Sequence, residues 1–295
     1  MIVNKDSISI IGTGNVGTAL GFLLRKAGYP VVAAADLNRD AARRCADFTG
    51  ARSYDNLTEA AAQGACILIA TPDDAIEPVC RSLSESGAVR PDQKVVHVSG
   101  ASGLDSLASA RSLGARVAAV HPIQTLADID SAIVRIPGST FGVTADEEIM
   151  SWAFQLVRDL GGHPIAISNA DRPLYHVAAC IASNYLVSMM HLVQGIYQHF
   201  GLAPEEALQA FWPLVEGTIR NIEMKGPVRS LTGPIARGDI GTLSKHLEAI
   251  LAYDPSRLPI YRSMGLLTAE LALIKGTVSQ DQFDQIKKLL KGDTP

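Results

Sequence analysis

The stretch SISIIGTGNVGTALGFLLRKAG, residues 7–28, runs from an apolar, β-branched segment through three spaced glycines into an amphipathic pattern. Strand, glycine turn and helix in that order form the setting in which the spacing G-x-G-x-x-G receives the diphosphate of a dinucleotide. Each glycine then has its own reason. Gly12 turns the chain tightly off the strand, Gly14 keeps a side chain out of the diphosphate's path, and Gly17 lets the helix approach the sheet. The helix start adds free N–H groups and the positive end of its dipole. Gly12, Thr13, Gly14, Asn15, Val16 and Gly17 are thus candidate cofactor-binding residues, with a merely tight structural turn as the alternative.

The next strand pattern, VVAAADLNR (residues 31–39), bears on which nicotinamide dinucleotide would bind. Asp36 falls about 20 residues past the loop, where a carboxylate accepts hydrogen bonds from the adenosine 2′-hydroxyl and so favours NAD. Arg39 could instead grip a 2′-phosphate and favour NADP. The two residues leave that choice open.

Three later strand ends follow. LIATPDD (68–74) places Thr71, Pro72 and Asp73, and VVHVSGASG (95–103) places Ser99 and Gly100, at carboxyl ends that would lie over the nicotinamide ribose and ring. Ordinary turn chemistry explains both groups equally well. AAVHPIQTL (118–126) delivers His121 to a third strand end, either for chemistry in a cleft or as a histidine satisfied by backbone carbonyls.

Along the whole chain, strand patterns at 7–11, 31–35, 65–70, 94–98, 115–120 and 139–143 alternate with amphipathic ones at 18–27, 39–48 and 74–84. Continuous apolar strands separated by helices predict an α/β domain with a doubly wound, mostly parallel sheet buried on both faces. After Ile167 only helical patterns remain: a long one from about Asp171 to Gly201, then 204–224, 239–253, 255–274 and 280–290. The expected organisation is a dinucleotide-binding domain over 1–168 and an all-α domain over 169–295. On the long helix His176, Cys180 and Asn184 recur at intervals of four, a polar stripe that faces solvent or lines a cleft. His176 could then act as a general acid and Asn184 could hold substrate, with Tyr175 as a second donor. In SLTGPIARGDIGT (230–242), turns and helix capping explain every notable residue except Arg237, a candidate anion anchor.

Composition narrows the classes. Lys and Arg number 26 against 30 Asp and Glu, with no basic cluster, so a nucleic-acid surface is excluded. The four cysteines lack metal-ligand spacing and fit a reducing compartment. The start MIVNKDSISIIG lacks the pattern of a signal peptide. The most apolar late segment, 181–193, carries Asn184, Ser188 and His191 and falls short of the roughly 20 residues a span needs. A cytoplasmic protein with no membrane or nucleic-acid partner and no metal is expected.

Six ordered motifs, IGTGNVGTAL (11–20), ATPDDAI (70–76), HVSGA (97–101), HPIQT (121–125), YHVAACIASNYLV (175–187) and LTGPIARGD (231–239), resemble a family of Rossmann-like NADP oxidoreductases. The C-terminal helical half of that family is a domain of unknown function, type 2520. More distantly the chain is similar to pyrroline-carboxylate reductases, 6-phosphogluconate dehydrogenases and prephenate dehydrogenases. The resemblance implies a Rossmann domain followed by an all-α domain of the 6-phosphogluconate dehydrogenase C-terminal type. It further implies NADP as cofactor, with NAD as the alternative. The activity implied is hydride transfer to a small C=O or C=N substrate bound between the domains, in a homodimer formed by the helical domain. In phosphogluconate-type enzymes the equivalent helix carries a catalytic lysine four residues before an asparagine. Asn184 matches the asparagine, but Cys180 stands at the lysine position, so His176 or His121 would have to donate the proton. A dinucleotide-sensing protein without turnover is the other function compatible with these residues.

Overall fold

The computed structural model describes residues 5–292. Its first layer is built from β1 (Ile8–Ile11), α1 (Asn15–Lys26), β2 (Val31–Ala35), α2 (Arg39–Thr49), β3 (Arg52–Tyr54), α3 (Leu57–Ala61), β4 (Cys66–Ile69), α4 (Asp73–Glu85), β5 (Lys94–His97), α5 (Ala108–Ser112), β6 (Arg116–Pro122), α6 (Ile129–Arg135), β7 (Thr140–Ala145), α7 (Met150–Asp159) and β8 (His163–Ala166). The strands form one sheet in the order β3-β2-β1-β4-β5-β6-β7-β8. Every neighbouring pair is parallel except β6 and β7.

Both faces of the central strands are apolar because both are covered. Successive residues point to opposite sides: Ile10 and Leu68 join the core under α1, α6 and α7, while Ile11, Ile67 and Ile69 join the core under α3, α4 and α5. All four residues of β1 and of β4 are buried. Strand order reverses between β1 and β4, which opens a crevice at their carboxyl ends.

Two strands escaped the sequence reading. β3 is only Arg-Ser-Tyr, and β8 is His-Pro-Ile-Ala with mostly exposed positions. Both are edge strands, where a short, polar or proline-bearing segment is tolerated and no apolar run marks it.

Helices then follow without interruption. α8 (Arg172–Cys180) passes through a π-helical turn (Ile181–Tyr185) into α9 (Leu186–His199). The expected long helix is therefore present, with Asp171 at its N-cap and Pro173 in its first turn. The Asp171 carboxylate does not cap it, however, and instead accepts from the Ser168 hydroxyl. Among the described residues, Arg172–His199 is long and apolar enough, by length and composition alone, to cross a membrane, and its 28 residues exceed the 181–193 segment singled out from sequence.

The described chain divides into two compact units, one ending at Met189 and the other beginning at Met190. The second contains α10 (Pro204–Ser230), α11 (Ile240–Tyr253), α12 (Leu258–Lys275) and α13 (Gln280–Lys291). α11, α12 and α13 close around Leu243, Leu247, Ala269, Ala272, Ile286 and Leu290. α10 is broken at Gly226, whose φ of 75° is left-handed, and Pro227 follows the break. The helix expected to end at Met224 does lose its regular course there. Asp239 caps α11 through the Thr242 amide, as the motif predicts.

Candidate functional site

A cavity of about 660 Å³ opens at the carboxyl ends of β1, β2, β4, β5 and β6, within the first unit. Its floor starts with the glycine loop. Gly12 has a φ of +92°, and a Cβ there would lie 2.7 Å from the Ala70 carbonyl carbon, so both backbone conformation and packing demand glycine. Gly17 is pressed against the Gly12 carbonyl oxygen and the Ala70 methyl. Gly14 differs. Its φ is −65°, and a Cβ built on it meets nothing within 4 Å. The protein's own packing gives no reason for a bare backbone at Gly14, which borders the cavity. Gly14 is also the N-cap of α1, no side chain caps that helix, and its first turn holds no acidic residue. An anion is the group that such a helix start lacks. The loop therefore fits a diphosphate.

Asp36 lines the cavity beside the loop, with its carboxylate already engaged. It accepts from the Thr13 amide at 2.6 Å, the Thr13 hydroxyl at 3.2 Å and the Asn38 amide at 2.9 Å, so it ties β2 to the loop. Arg39 does not line the cavity. It opens α2 in solvent and meets Asp55 at 3.4 Å, both side chains more than 60% exposed. Asn15 lines the cavity and donates to the Ala127 carbonyl at 2.6 Å, bracing the helix start against the segment after β6. At the end of β4, Thr71, Pro72 and Asp73 all line the cavity, and the Thr71 hydroxyl is buried with no hydrogen-bond partner.

The far end carries the titratable groups. Ser99 and Gly100 line it, yet the Ser99 hydroxyl is committed to the amides of Ala101 and Ser102. Gly100 carries two imidazoles: a Cβ there would collide with His176 Nδ1 and lie 3.0 Å from His121 Nε2. The two rings stand edge to face with centroids 5.9 Å apart. His176 Nδ1 is buried without a partner. His121 Nδ1 is 2.8 Å from the Tyr175 hydroxyl, which also receives the Gly142 amide at 3.2 Å. Burial, then the nearby Arg172 guanidinium, then His176, lower the His121 pKa to about 4. His97, wholly buried below, is lowered to about 4 by burial first and Arg172 second. It accepts from the Ser99 amide and pairs with the Gly103 carbonyl, which defines a neutral ring.

Arg172 was missed in the sequence. It is 0% exposed, and its guanidinium reaches the Ser99 carbonyl and, at 3.1 Å, the Thr144 hydroxyl. Both acceptors are neutral, and its Nε has no partner. One signal was available: a cation in the first turn of a helix opposes the helix dipole and needs another reason to be there. Asn184 is brought to no part of this cavity. It sits exposed within the π-turn, eight residues beyond His176. Arg237 is exposed in the second unit, outside the cavity.

Residues 3–122 match the family model described as a Rossmann-like domain, and residues 139–268 match that of the domain of unknown function DUF2520. No curated protein matches the chain. Among solved structures it is similar to the provisionally named NADP oxidoreductase BF3122 of Bacteroides fragilis, with a TM-score of 0.72 and 21% identity over 91% of this chain and 98% of that one. It is similar also to protein TM1727 of Thermotoga maritima, at 0.69 and 24% over 91% and 99%. A third is the reductive aminase of Aspergillus terreus in complex with NADPH and ethyl-5-oxohexanoate, at 0.59 and 15% over 98% and 93%. At such identities the likeness speaks for the fold. Residues 3–122 and 139–268 thus match the Rossmann-like and DUF2520 models in that order.

Proposed function

We propose that the chain is an NADP-dependent oxidoreductase that transfers hydride between the nicotinamide and a small C=O or C=N substrate, with the proton supplied at His121 and His176. One observation carries the reading: Gly14, bare without any packing reason, lies beside an uncapped helix start at the opening of a cavity whose other end holds two imidazoles. The cofactor, when bound, supplies the hydride chemistry. The chain's own contribution is to seat the diphosphate on α1, to leave the Thr71 hydroxyl available, and to hold the imidazoles over Gly100. The solved structures named for NADP or bound to NADPH support the same cofactor.

The preference for NADP over NAD rests on the two residues after β2. Asp36 spends its oxygens on the loop and Asn38, which leaves it poorly free to receive a 2′-hydroxyl. The Arg39 pair with Asp55 is solvent-exposed and worth about 1 kcal/mol or less, so a 2′-phosphate can compete for the guanidinium. Titration calorimetry with NADPH and NADH tests this. Arg39→Ala should weaken NADPH about tenfold and leave NADH unchanged; equal affinities in the parent and the variant would remove the preference.

The partner reading is a homodimer formed by the helical part. Before Arg172 the exposed large hydrophobics among the described residues are Leu37, Leu113, Val134 and Ile165. From Leu174 onward they include Ile181, Tyr185, Val187, Trp212, Leu214 and Met224, many of them more than half exposed. Apolar surface of that density calls for a cover, and two-fold pairing with a second copy is the commonest form it takes. A cytoplasmic location rests on four cysteines that are all unpaired thiols.

A further inference from the structure

We propose that Tyr175 is the proton source of the site and His121 its conductor, the phenol handing a proton to Nδ1 as Nε2 gives its own to the substrate. The inference rests on the reductase reading and names the route that reading leaves open. His121 is held neutral at neutral pH, so its imidazole carries one N–H. A neutral imidazole can release the Nε2 proton without becoming imidazolate only if Nδ1 receives another at the same time. The Tyr175 hydroxyl, 2.8 Å from Nδ1, is the group placed to give it. Nε2 bonds to nothing among the described residues and lies over Gly100 in the cavity wall.

Burial raises the Tyr175 pKa, and two groups at the phenol work against that rise, the Gly142 amide and the Arg172 guanidinium. The Gly142 amide donates to the same oxygen at 3.2 Å, and the absence of a Cβ at Gly142 leaves the phenol room: one would stand 2.5 Å from Tyr175 Cζ. The Arg172 guanidinium lies 6.0 Å from the ring centroid, wholly buried and hydrogen-bonded to neutral acceptors, with Asp73 as the carboxylate whose charge reaches it. A cation so close to the phenol favours negative charge on its oxygen. Arg172 is thus a positioning residue, acting on the substrate only through Tyr175 and His121.

The balance is complete. The substrate carbon gains a C–H bond from the hydride of a reduced nicotinamide dinucleotide, which is oxidised. The substrate oxygen or nitrogen takes the Nε2 proton, the Tyr175 O–H bond breaks as a new Nδ1–H bond forms, and water later protonates Nε2 as Nδ1 returns its proton to the phenolate. The product is an alcohol or an amine.

Long-range ¹H–¹⁵N NMR on the full chain with ¹⁵N-labelled histidine tests the route without any substrate. Between pH 6 and 8 His121 should show a neutral ring with the proton on Nε2 and Nδ1 as acceptor. Tyr175→Phe, which keeps the aromatic ring, should shift His121 to a mixture of tautomers. A parent His121 with its proton on Nδ1 would mean that Tyr175 donates instead to the His121 carbonyl, 3.3 Å away, and the relay is overturned. So would a tautomer indifferent to Tyr175→Phe. NADPH calorimetry on the parent separates the two failures: absent binding removes the reductase reading and leaves the tautomer result standing on its own.

Discussion

At the scale of single residues, His97 and His121 are kept neutral by burial and by one buried cation. Replacing Arg172 with Met removes the second-largest cause of the lowered His97 and His121 pKa values. Both titration midpoints should rise from about 4, and stop short of the ordinary 6.5 because burial, the larger cause, remains. Histidine ¹H NMR titration reads this, and unmoved midpoints would contradict it. The same lowering makes stability pH-dependent. The unfolded chain protonates these histidines near pH 6.5 and the folded chain only near 4, so stability is full above 6.5 and is lost as pH falls through that window. For His97, wholly buried, the loss is about 3 kcal/mol. Urea midpoints should therefore fall between pH 7 and pH 4.5, ahead of the carboxylates, whose pKa values are lowered and whose losses come at lower pH. Gly142→Ala forces a methyl onto the Tyr175 ring and should destabilise by about 1–3 kcal/mol, measured by the same midpoints.

At the scale of elements, legibility followed burial. β1 and β4 are apolar throughout because both faces are covered, and that pattern is visible in ISII and CILI. The glycine loop was legible because backbone geometry and close approach leave glycine as the one solution at Gly12 and Gly17. The edge strands β3 and β8 were not, since their neighbours rather than their own residues define them. His121 and His176 both line the cavity, one from a strand end and one from a helix face. Asn184 does not join them: eight residues on from His176, about 12 Å further along the helix axis, it lies outside the cavity wall. Arg172 carried one faint signal, its place in the first turn of a helix, and nothing in a lone arginine says that its charge will be buried. Asn184→Ala should accordingly leave NADPH affinity unchanged in calorimetry, while a tenfold loss would return Asn184 to the site.

At the scale of the whole molecule, the proposed dimer would cover the exposed apolar side chains from Leu174 onward. Sedimentation should give twice the 31.3 kDa chain mass. Val187→Glu, a charge at a position 68% exposed in the single chain, should shift the species to monomer; a monomeric parent would contradict the pairing. The central claim concerns Gly14. Because a Cβ there meets nothing within 4 Å and its φ of −65° suits any residue, Gly14→Val should leave the melting temperature within a few degrees of the parent. Calorimetry with NADPH should find affinity reduced at least a hundredfold in the same folded variant. An unchanged heat and dissociation constant would show that no diphosphate rests on this backbone.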